Sequence, residues 1–343
     1  MSKHSTEGKN SRQKSPRQTA NRRPGTRRPA SKQRTSRQRQ GSKGKKVLFL
    51  VLLFALSAVF LFSAYKVTKI LLDYRSARQE YNTLREDYSP SNIEGLYAAI
   101  QGAEVSSPGS DPQDDTASAE EEYLPPEGEE VGEKISSLED ESAEAVMVLT
   151  QEMAVDFDGL LRTNGDTVGW LIVPGTTISY PVVHSHDNKD YITRTFTGRG
   201  NAAGTVFMDY ENARDLSSRH ILIYGHNMRN GSVFAPLVNY KERDWFDQHR
   251  TMLFITPGKV YRLQVFSSYH APASAEQRTI VFTDDAAFTD YVQGMLDRCS
   301  FSDGIAGDIS QVFTFVTCSY ESPDARTFVH ARVTGNYDYT IDG

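Results

Sequence analysis

An uncharged apolar segment near the N-terminus divides the chain into two parts. The segment "VLFLVLLFALSAVFLFSAY", Val47–Tyr65, has 19 residues. A helix of that length spans roughly 28 Å, close to the ~30 Å hydrocarbon core of a bilayer. A cleaved signal peptide is the alternative, but its apolar region is usually only ~7–15 residues and its basic leader is short. Here 46 residues precede the segment. The sequence therefore predicts an uncleaved single-pass membrane anchor at 47–65.

The two parts carry opposite charge. Residues 1–46 contain 16 Lys/Arg and one acid, Glu7, a net of +15, so the remaining residues carry −21 (−6 minus 15). Because positive residues favour the cytoplasmic side, we expect a cytoplasmic N-terminus, with the rest outside the cell membrane. The basic arm, 1–46, is too polar to bury a core and is predicted to be disordered. It has no aromatic residues to stack on bases, so nucleic acid is not an expected partner.

Three further segments follow the predicted anchor. Apolar residues recur at spacings of 3 and 4 from Val67 to Tyr88, which predicts a helical juxtamembrane stalk over 66–100. A dimeric coiled coil is a weaker alternative, because Ala and Tyr make a poor seam. Residues 104–144 contain 15 Asp/Glu and one Lys, which is typical of a solvated, disordered linker, placed at 101–144. Residues 145–343 have a globular composition, and their number is enough for one folded domain with a sizeable core.

The globular part consists mostly of short β-rich runs. These runs include "HILIYGH", "QVFTFVTC" and "RTFVHARV", and turn signals such as Pro257-Gly258 separate them. The pattern predicts about eight strands without a regular βαβ rhythm, so the expected fold is mainly β: a mixed β-barrel with peripheral helices. Two segments are predicted as helices, 145–164 and Asp284–Arg298.

Cys318 is the first candidate for chemistry. It ends the β-run that begins at Val312, where a side chain can reach a cleft. An ordinary thiol is mostly protonated at neutral pH, so a nucleophilic cysteine needs a base or a cation nearby. The alternatives are a small buried hydrophobe or a disulfide with Cys299, the other cysteine of the chain.

Two further residues complete a candidate site. His226 follows the β-run ending at Tyr224-Gly225, and histidine exchanges protons near neutral pH. His330 is its main rival, because it shares a strand face with Arg326. Only seven residues separate Arg326 from Cys318, so a hairpin can bring the two together. A guanidinium there can stabilise a carbonyl oxygen as it gains negative charge.

These motifs, taken as a set, resemble the sortase family. "YGHN", then "FVTC" followed by "SYE", then an arginine, match the family's order of His, Cys and Arg, and "GTVFMDYEN" and "VGWLIVPGTTISYPVV" resemble class B. The resemblance implies a closed eight-stranded barrel, with Cys318 as nucleophile, His226 as general acid/base and Arg326 as stabiliser of the carbonyl. It also implies a substrate-binding role for Tyr224, Val316 and Thr317, although Val316 stands where the class often has serine.

The resemblance also implies a reaction and its partners. A sortase cleaves a C-terminal sorting signal, such as an LPxTG-like or NPxTN-like motif, after its Thr, and transfers the secreted protein to an amine of a peptidoglycan precursor or a pilin-like subunit. No cofactor or metal is expected, since no Cys/His cluster has suitable spacing. A papain-like peptidase is disfavoured, because there the cysteine precedes the histidine and starts a helix. A non-catalytic extracellular binding module on the same barrel remains the alternative.

Overall fold

The computed structural model describes residues 41–106, 146–274, 276–299, 301–302, 304, 306–318 and 324–342. Most of the predicted basic arm and of the predicted acidic linker lies outside these residues. The domain boundaries at 46, 65, 100 and 144 therefore stay predictions.

Two helices precede the globular part. Helix α1 is Gly41–Tyr88 and helix α2 is Ile93–Ser106. Among the described residues, α1 alone is long and apolar enough to cross a membrane. Its large apolar side chains between Val47 and Leu72 are exposed, as expected where lipid rather than protein covers them. This helix is compatible with single-pass membrane anchoring.

The C-terminal half of α1 and all of α2 belong to the same compact unit as the barrel. Ala77, Tyr81 and Leu84 are buried in the main core, and so are Leu96 and Ile100 of α2. The apolar stripe that indicated a stalk is therefore covered by the globular domain itself.

In the part of the chain that the structure describes, nine strands form the sheet. They are β1 Met147–Leu149, β2 Thr167–Ile172, β3 Ser179–His184, β4 Val206–Met208, β5 His220–Tyr224, β6 Thr251–Thr256, β7 Lys259–Pro272, β8 Val312–Cys318 and β9 Ala325–Ile341. Eight of them run in the order β9-β7-β6-β2-β3-β4-β5-β8, and the β8–β9 pairing closes the ring. Parallel pairs (β3–β4, β5–β8) and antiparallel pairs both occur. The predicted mixed, closed eight-stranded barrel is confirmed.

The alternation of side chains along β8 separates two apolar layers. Phe313 and Phe315 join the main core, where Phe313 packs 5.4 Å from Phe254 between ring centroids. Val312 and Val316 face the other way and join a second cluster with helix α5, Asp285–Asp297. Asp284 caps this helix by accepting a hydrogen bond from the Ala287 N–H, 2.8 Å, as its acidic start predicts.

The prediction of one helix over 145–164 is wrong. Met147–Leu149 is strand β1, which pairs in parallel with the end of β9, and only Phe157–Thr163 is helical, as α3. Met147 and Leu149 are buried while Val148 is exposed, a period of two that the long apolar run concealed. Asp156 starts α3 by accepting from the Gly159 N–H. The remaining helix of the domain, α4, is Arg243–Gln248.

Candidate active site

The β8–β9 hairpin brings Cys318 and Arg326 together. In the antiparallel register Cys318 is the direct partner of Arg326, at the end of the paired segment. Directly opposed residues have their side chains on the same face of the sheet, a few ångströms apart. The predicted hairpin geometry is thus present, although residues 319–323 of its loop lie outside the described part of the chain.

Strand β5 brings His226 to the other side of Cys318. It runs parallel to β8 with Tyr224 opposite Val316, and the Gly225 N–H continues the ladder to the Val316 carbonyl, 3.1 Å. Two residues further along each chain are His226 and Cys318. The Asn227 side chain then donates to the Cys318 carbonyl, 2.9 Å, which joins the two strand ends.

A cavity of about 350 Å³ opens over these strand ends. All six residues singled out in the sequence line it: Tyr224, His226, Val316, Thr317, Cys318 and Arg326. Both cysteines are free thiols; Cys299 is buried, whereas Cys318 is partly exposed. A thiol reachable from a cavity and lying between an imidazole and a guanidinium can act as a nucleophile.

The three predicted substrate-binding residues differ in their surroundings. Val316 lies one row below Cys318, beside Tyr224 on one strand and Phe328 on the other, and these three form an apolar floor. Thr317 alternates to the opposite face, is buried, and its hydroxyl has no hydrogen-bond partner. The backbone of Thr317, rather than its side chain, is therefore the part suited to contact a ligand.

The ring of His226 is held by the main chain. Its Nε2 lies 2.7 Å from the Ile192 carbonyl oxygen. A carbonyl only accepts, so Nε2 carries the proton, and Nδ1 is the nitrogen left to exchange one with a ligand. Ile192 also lines the cavity. The sequence contained no signal for this contact, because it is made by a backbone atom 34 residues away.

Sequence analysis also missed an ionic cluster in the cavity wall. Arg278 lines the cavity and donates to the carboxylate of Asp209, 2.8 Å, while the Tyr224 hydroxyl donates to the same oxygen, 2.7 Å. Burial acts to raise the pKa of Asp209, but these hydrogen bonds outweigh it and the pKa is lowered. Burial raises the pKa of the Tyr224 phenol, so its hydroxyl stays a donor. The cluster ties the segment before α5 to the floor of the cavity.

His330 lies in a different environment from His226. It is paired with Thr314, two pleats from Cys318 on the same face, and it is 1% exposed. Its Nδ1 lies 2.8 Å from the Thr314 hydroxyl. Burial holds the pKa of His330 well below its ordinary value, so the ring is neutral. His330 does not line the cavity.

The described residues contain no group of three or more His, Cys, Asp or Glu arranged to hold a metal ion. The Cys318 thiol and the His226 imidazole, which line the cavity, are groups capable of nucleophilic and acid/base chemistry.

Comparison with known proteins gives one consistent family. The chain is 29% identical over 171 residues to sortase B of Listeria monocytogenes, covering 50% of this chain and 70% of that protein. It is 28% identical over 184 residues to sortase B of Staphylococcus aureus, covering 52% and 74%. The X-ray structure of a mutant form of sortase B from Clostridium perfringens matches with a TM-score of 0.50 at 26% identity, covering 52% of this chain and 86% of that one. No family model matches the chain.

The closed barrel and the similarity to these proteins agree with each other and with the motifs. At 28–29% identity to the two curated proteins, these findings support a class B sortase.

Proposed function

We propose that this class B sortase is a membrane-anchored cysteine transpeptidase with Cys318 as its nucleophile. The observation that carries the proposal is the register of three adjacent strands, which sets Cys318 between His226 and Arg326 at the mouth of the cavity. Strand ends fixed by paired hydrogen bonds hold reacting groups more accurately than free loops do.

The first half of the reaction forms a thioacyl-enzyme. Cys318 gives its proton to His226, and the sulfur attacks the carbonyl carbon after the Thr of a sorting motif. The Arg326 guanidinium stabilises the oxyanion, together with a backbone N–H near Thr317. His226 then protonates the departing amine as the C–N bond breaks, which leaves the acyl group on sulfur.

The second half transfers the acyl group. An amine of a peptidoglycan precursor or of a pilin-like subunit attacks the thioester and loses a proton to His226. The C–S bond breaks, an amide is formed, and the thiol regains its proton. Where no amine is present, water can take its place and the enzyme acts as a cysteine protease, that is, a hydrolase.

The cavity suits a short peptide with small and apolar side chains. Its floor is the apolar row Tyr224, Val316 and Phe328, and its polar groups are few. The motif's Thr carbonyl would lie at the Cys318 end, where the charge develops. We therefore propose an LPxTG-like or NPxTN-like sorting signal as substrate class and anchoring of surface proteins to the cell wall as outcome.

The proposed location follows from α1 and from charge. The helix is compatible with one membrane span. The 16 Lys/Arg of residues 1–46 favour a cytoplasmic N-terminus, which sets the catalytic domain outside the cell, beside secreted substrates.

The test uses the full chain in detergent micelles, a panel of sorting-motif peptides and an amine acceptor, with products followed by mass spectrometry. We expect a thioacyl adduct on Cys318 and an amide product for at least one motif. Cys318→Ala should abolish both. Cys299→Ala is the matched control, because that thiol is buried away from the cavity, and it should keep the activity.

Two results would argue against the transpeptidase. The first is that the wild-type chain neither cleaves nor ligates any peptide of the panel. The second is that Cys318→Ala binds a motif peptide as tightly as the wild type while neither protein turns it over, which would indicate the non-catalytic binding module instead.

A further inference from the structure

The ring of His226 is hydrogen-bonded to the Ile192 carbonyl. The chain segment that contains Ile192 is in turn hydrogen-bonded to helix α1. The Ile192 carbonyl belongs to the β3–β4 connection, residues 185–205, which links two neighbouring barrel strands. This connection contributes Asn188 and Ile192 to the cavity wall. The position of the Ile192 carbonyl sets the orientation of the imidazole, because Nε2–H donates to its oxygen with an Nε2···O distance of 2.7 Å.

Gly204 fixes the Ile192 carbonyl from behind. It has a φ of +59°, and a Cβ built on it would lie 2.5 Å from the Tyr191 oxygen and 2.6 Å from the Ile192 oxygen. The Thr205 N–H donates to the Tyr191 carbonyl, 2.9 Å, and locks the two segments side by side. We therefore expect a shift of Gly204 to move the carbonyl that accepts the hydrogen bond from His226 Nε2–H.

Helix α1 is joined to the β3–β4 connection by hydrogen bonds that involve side chains. The buried Tyr81 hydroxyl donates to the Gly204 carbonyl, 2.5 Å. The Glu80 carboxylate accepts from the Thr197 N–H, 2.9 Å. The Asn201 amide donates to the Asp73 carbonyl and to the Ser76 hydroxyl, both 2.9 Å.

These contacts form one continuous path. It runs from Tyr81 to Gly204, from Gly204 to the Ile192 carbonyl, and from there to His226. We propose that Tyr81 and Gly204 are positioning residues for the catalytic histidine, so that the docked C-terminal part of α1 is a component of the active site and not only a tether. The proposal rests on the proposed function of His226 as general acid/base.

The expected consequence concerns proton transfer in particular. A misdirected imidazole delivers its proton poorly to a departing amine, and a small displacement is enough to cost rate. Peptide binding uses the cavity floor and should not change. An ester of the same peptide has a leaving group that needs little protonation, so its cleavage should depend less on where the imidazole points.

The first pair of variants is Gly204→Ala and Gly198→Ala in the full chain. Both glycines lie in the β3–β4 connection and both have a positive φ, so both variants incur the same kind of backbone strain. Only at position 204 does the added Cβ meet the Tyr191 and Ile192 oxygens; at position 198 nothing lies within 4 Å. Gly204→Ala should lower kcat for the peptide amide about tenfold or more with KM within twofold, whereas Gly198→Ala should leave both within twofold.

The second pair is Tyr81→Phe and Tyr88→Phe, which remove one hydroxyl each from α1. The Tyr88 hydroxyl bonds to Thr163 of α3, 3.2 Å, and not to the β3–β4 connection. Tyr81→Phe should lower kcat for the amide several-fold and lower kcat for the ester less, because only the amide also needs His226 to protonate its leaving group. Tyr88→Phe should change neither. This pair keeps the proposal testable if Gly204→Ala does not fold.

A spectroscopic readout separates this proposal from the function on which it rests. The ¹⁵N spectrum of the His226 ring, assigned by comparison with His226→Gln, reports which nitrogen carries the proton. We expect the Nε2–H form in the wild type and in both controls, and a mixture of tautomers in Gly204→Ala and Tyr81→Phe. If the wild-type protein turned over no peptide, the proposed function would be wrong. The His226 spectrum would still show whether Tyr81 and Gly204 position the imidazole.

Two outcomes would overturn the inference. One is an unchanged His226 spectrum with unchanged kcat in both Gly204→Ala and Tyr81→Phe. The other is an equal loss of rate on the amide and on the ester together with an unchanged His226 spectrum, which would mean that the contacts support the domain generally and do not position the histidine.

Discussion

Two rows of polar side chains lie on one face of the sheet, four residues apart along β8 and β9; from β5 they take His226, just after the strand, and His220, six residues earlier. The outer row is His226, Cys318 and Arg326 at the strand ends; the inner row includes Thr314 and His330 beneath helix α5. Both rows contain a histidine beside a hydroxyl or thiol, so residue type does not distinguish them. Exposure does: the outer row opens into the cavity, and the inner row is sealed.

The inner row is a buried hydrogen-bond chain that runs from the Thr279 carbonyl through His220 and Thr314 to His330. His220 Nδ1 donates to the Thr279 carbonyl, 2.7 Å, so its neutral Nε2 accepts from the Thr314 hydroxyl, 2.7 Å. The Thr314 oxygen must then accept from His330 Nδ1–H. Every proton in this chain is committed to an internal partner. The comparison teaches that the same residue types serve stability when buried and chemistry when a cavity reaches them.

The largest expected effect separates two arginines on one face of β9. Arg326→Ala should lower the rate of thioacyl formation by about 10²–10³, the usual cost of removing an oxyanion donor. Arg332 donates to the Gln264 side chain from both Nε and Nη2, away from the cavity. Arg332→Lys should therefore lower stability slightly and leave the rate unchanged. Stopped peptide reactions analysed by mass spectrometry measure the rate, and similar losses in both variants would contradict the distinction between the two arginines.

The inner row should make the domain sensitive to mild acid. Burial lowers the pKa of His220 to about 4 from its ordinary 6.5, and burial also lowers that of His330. The unfolded chain therefore binds more protons than the folded one below pH 6.5, and stability falls as the pH drops from about 6.5 to about 4. At about 1.36 kcal/mol per unit, His220 alone accounts for a loss of about 3 kcal/mol.

Chemical unfolding followed by the fluorescence of Trp170 and Trp245 measures this loss at each pH. His220→Gln should be less stable at pH 7 but should show a shallower decline between pH 6.5 and 4. The lowered pKa of Asp209 affects stability in a separate pH range, because its contribution is lost only as the pH falls below the ordinary value of 3.8. A decline of the same steepness in wild type and His220→Gln would remove His220 from the explanation.

Two buried threonines of β8, Thr314 and Thr317, test how much the hydrogen bonds of the inner row contribute to stability. Thr314→Val leaves a buried acceptor on His220 and a buried donor on His330 without partners, which should cost about 1–3 kcal/mol of unfolding free energy. The Thr317 hydroxyl is buried without a partner already, so Thr317→Val should cost less than Thr314→Val or even stabilise. The same unfolding measurement applies, and the reverse order of stabilities would show that the hydrogen-bond chain is misassigned.

The smallest expected effect concerns Cys299. This thiol is buried just after the end of α5, where it behaves as a small apolar group. Cys299→Ala should lower the free energy of unfolding by about 1 kcal/mol or less, within the usual range for a small change at a buried site. A clear loss of transpeptidation in this variant would mean that the second thiol takes part in the reaction.

Local patterns predicted the elements whose signals are local. The β-rich run Val312–Cys318, the acidic start of the Asp284–Arg298 helix and the hairpin spacing between Cys318 and Arg326 are each encoded within a few residues, and the strand, the helix and the hairpin are present. The same reasoning failed at 145–164, because the partner that makes Met147–Leu149 a strand is the far end of β9, nearly 200 residues away along the chain.

By itself the sequence determined the anchor-like segment, the mainly β domain, the resemblance to the sortase family and six of the residues that line the cavity. The catalytic roles of Cys318, His226 and Arg326 stay predictions that the proposed experiments test. Only the tertiary structure decided which histidine the cavity reaches, which carbonyl holds His226, and that the stripe on α1 packs on the domain. The physical reason is that burial and backbone contacts depend on chain segments far apart in sequence, about which a local pattern carries no information.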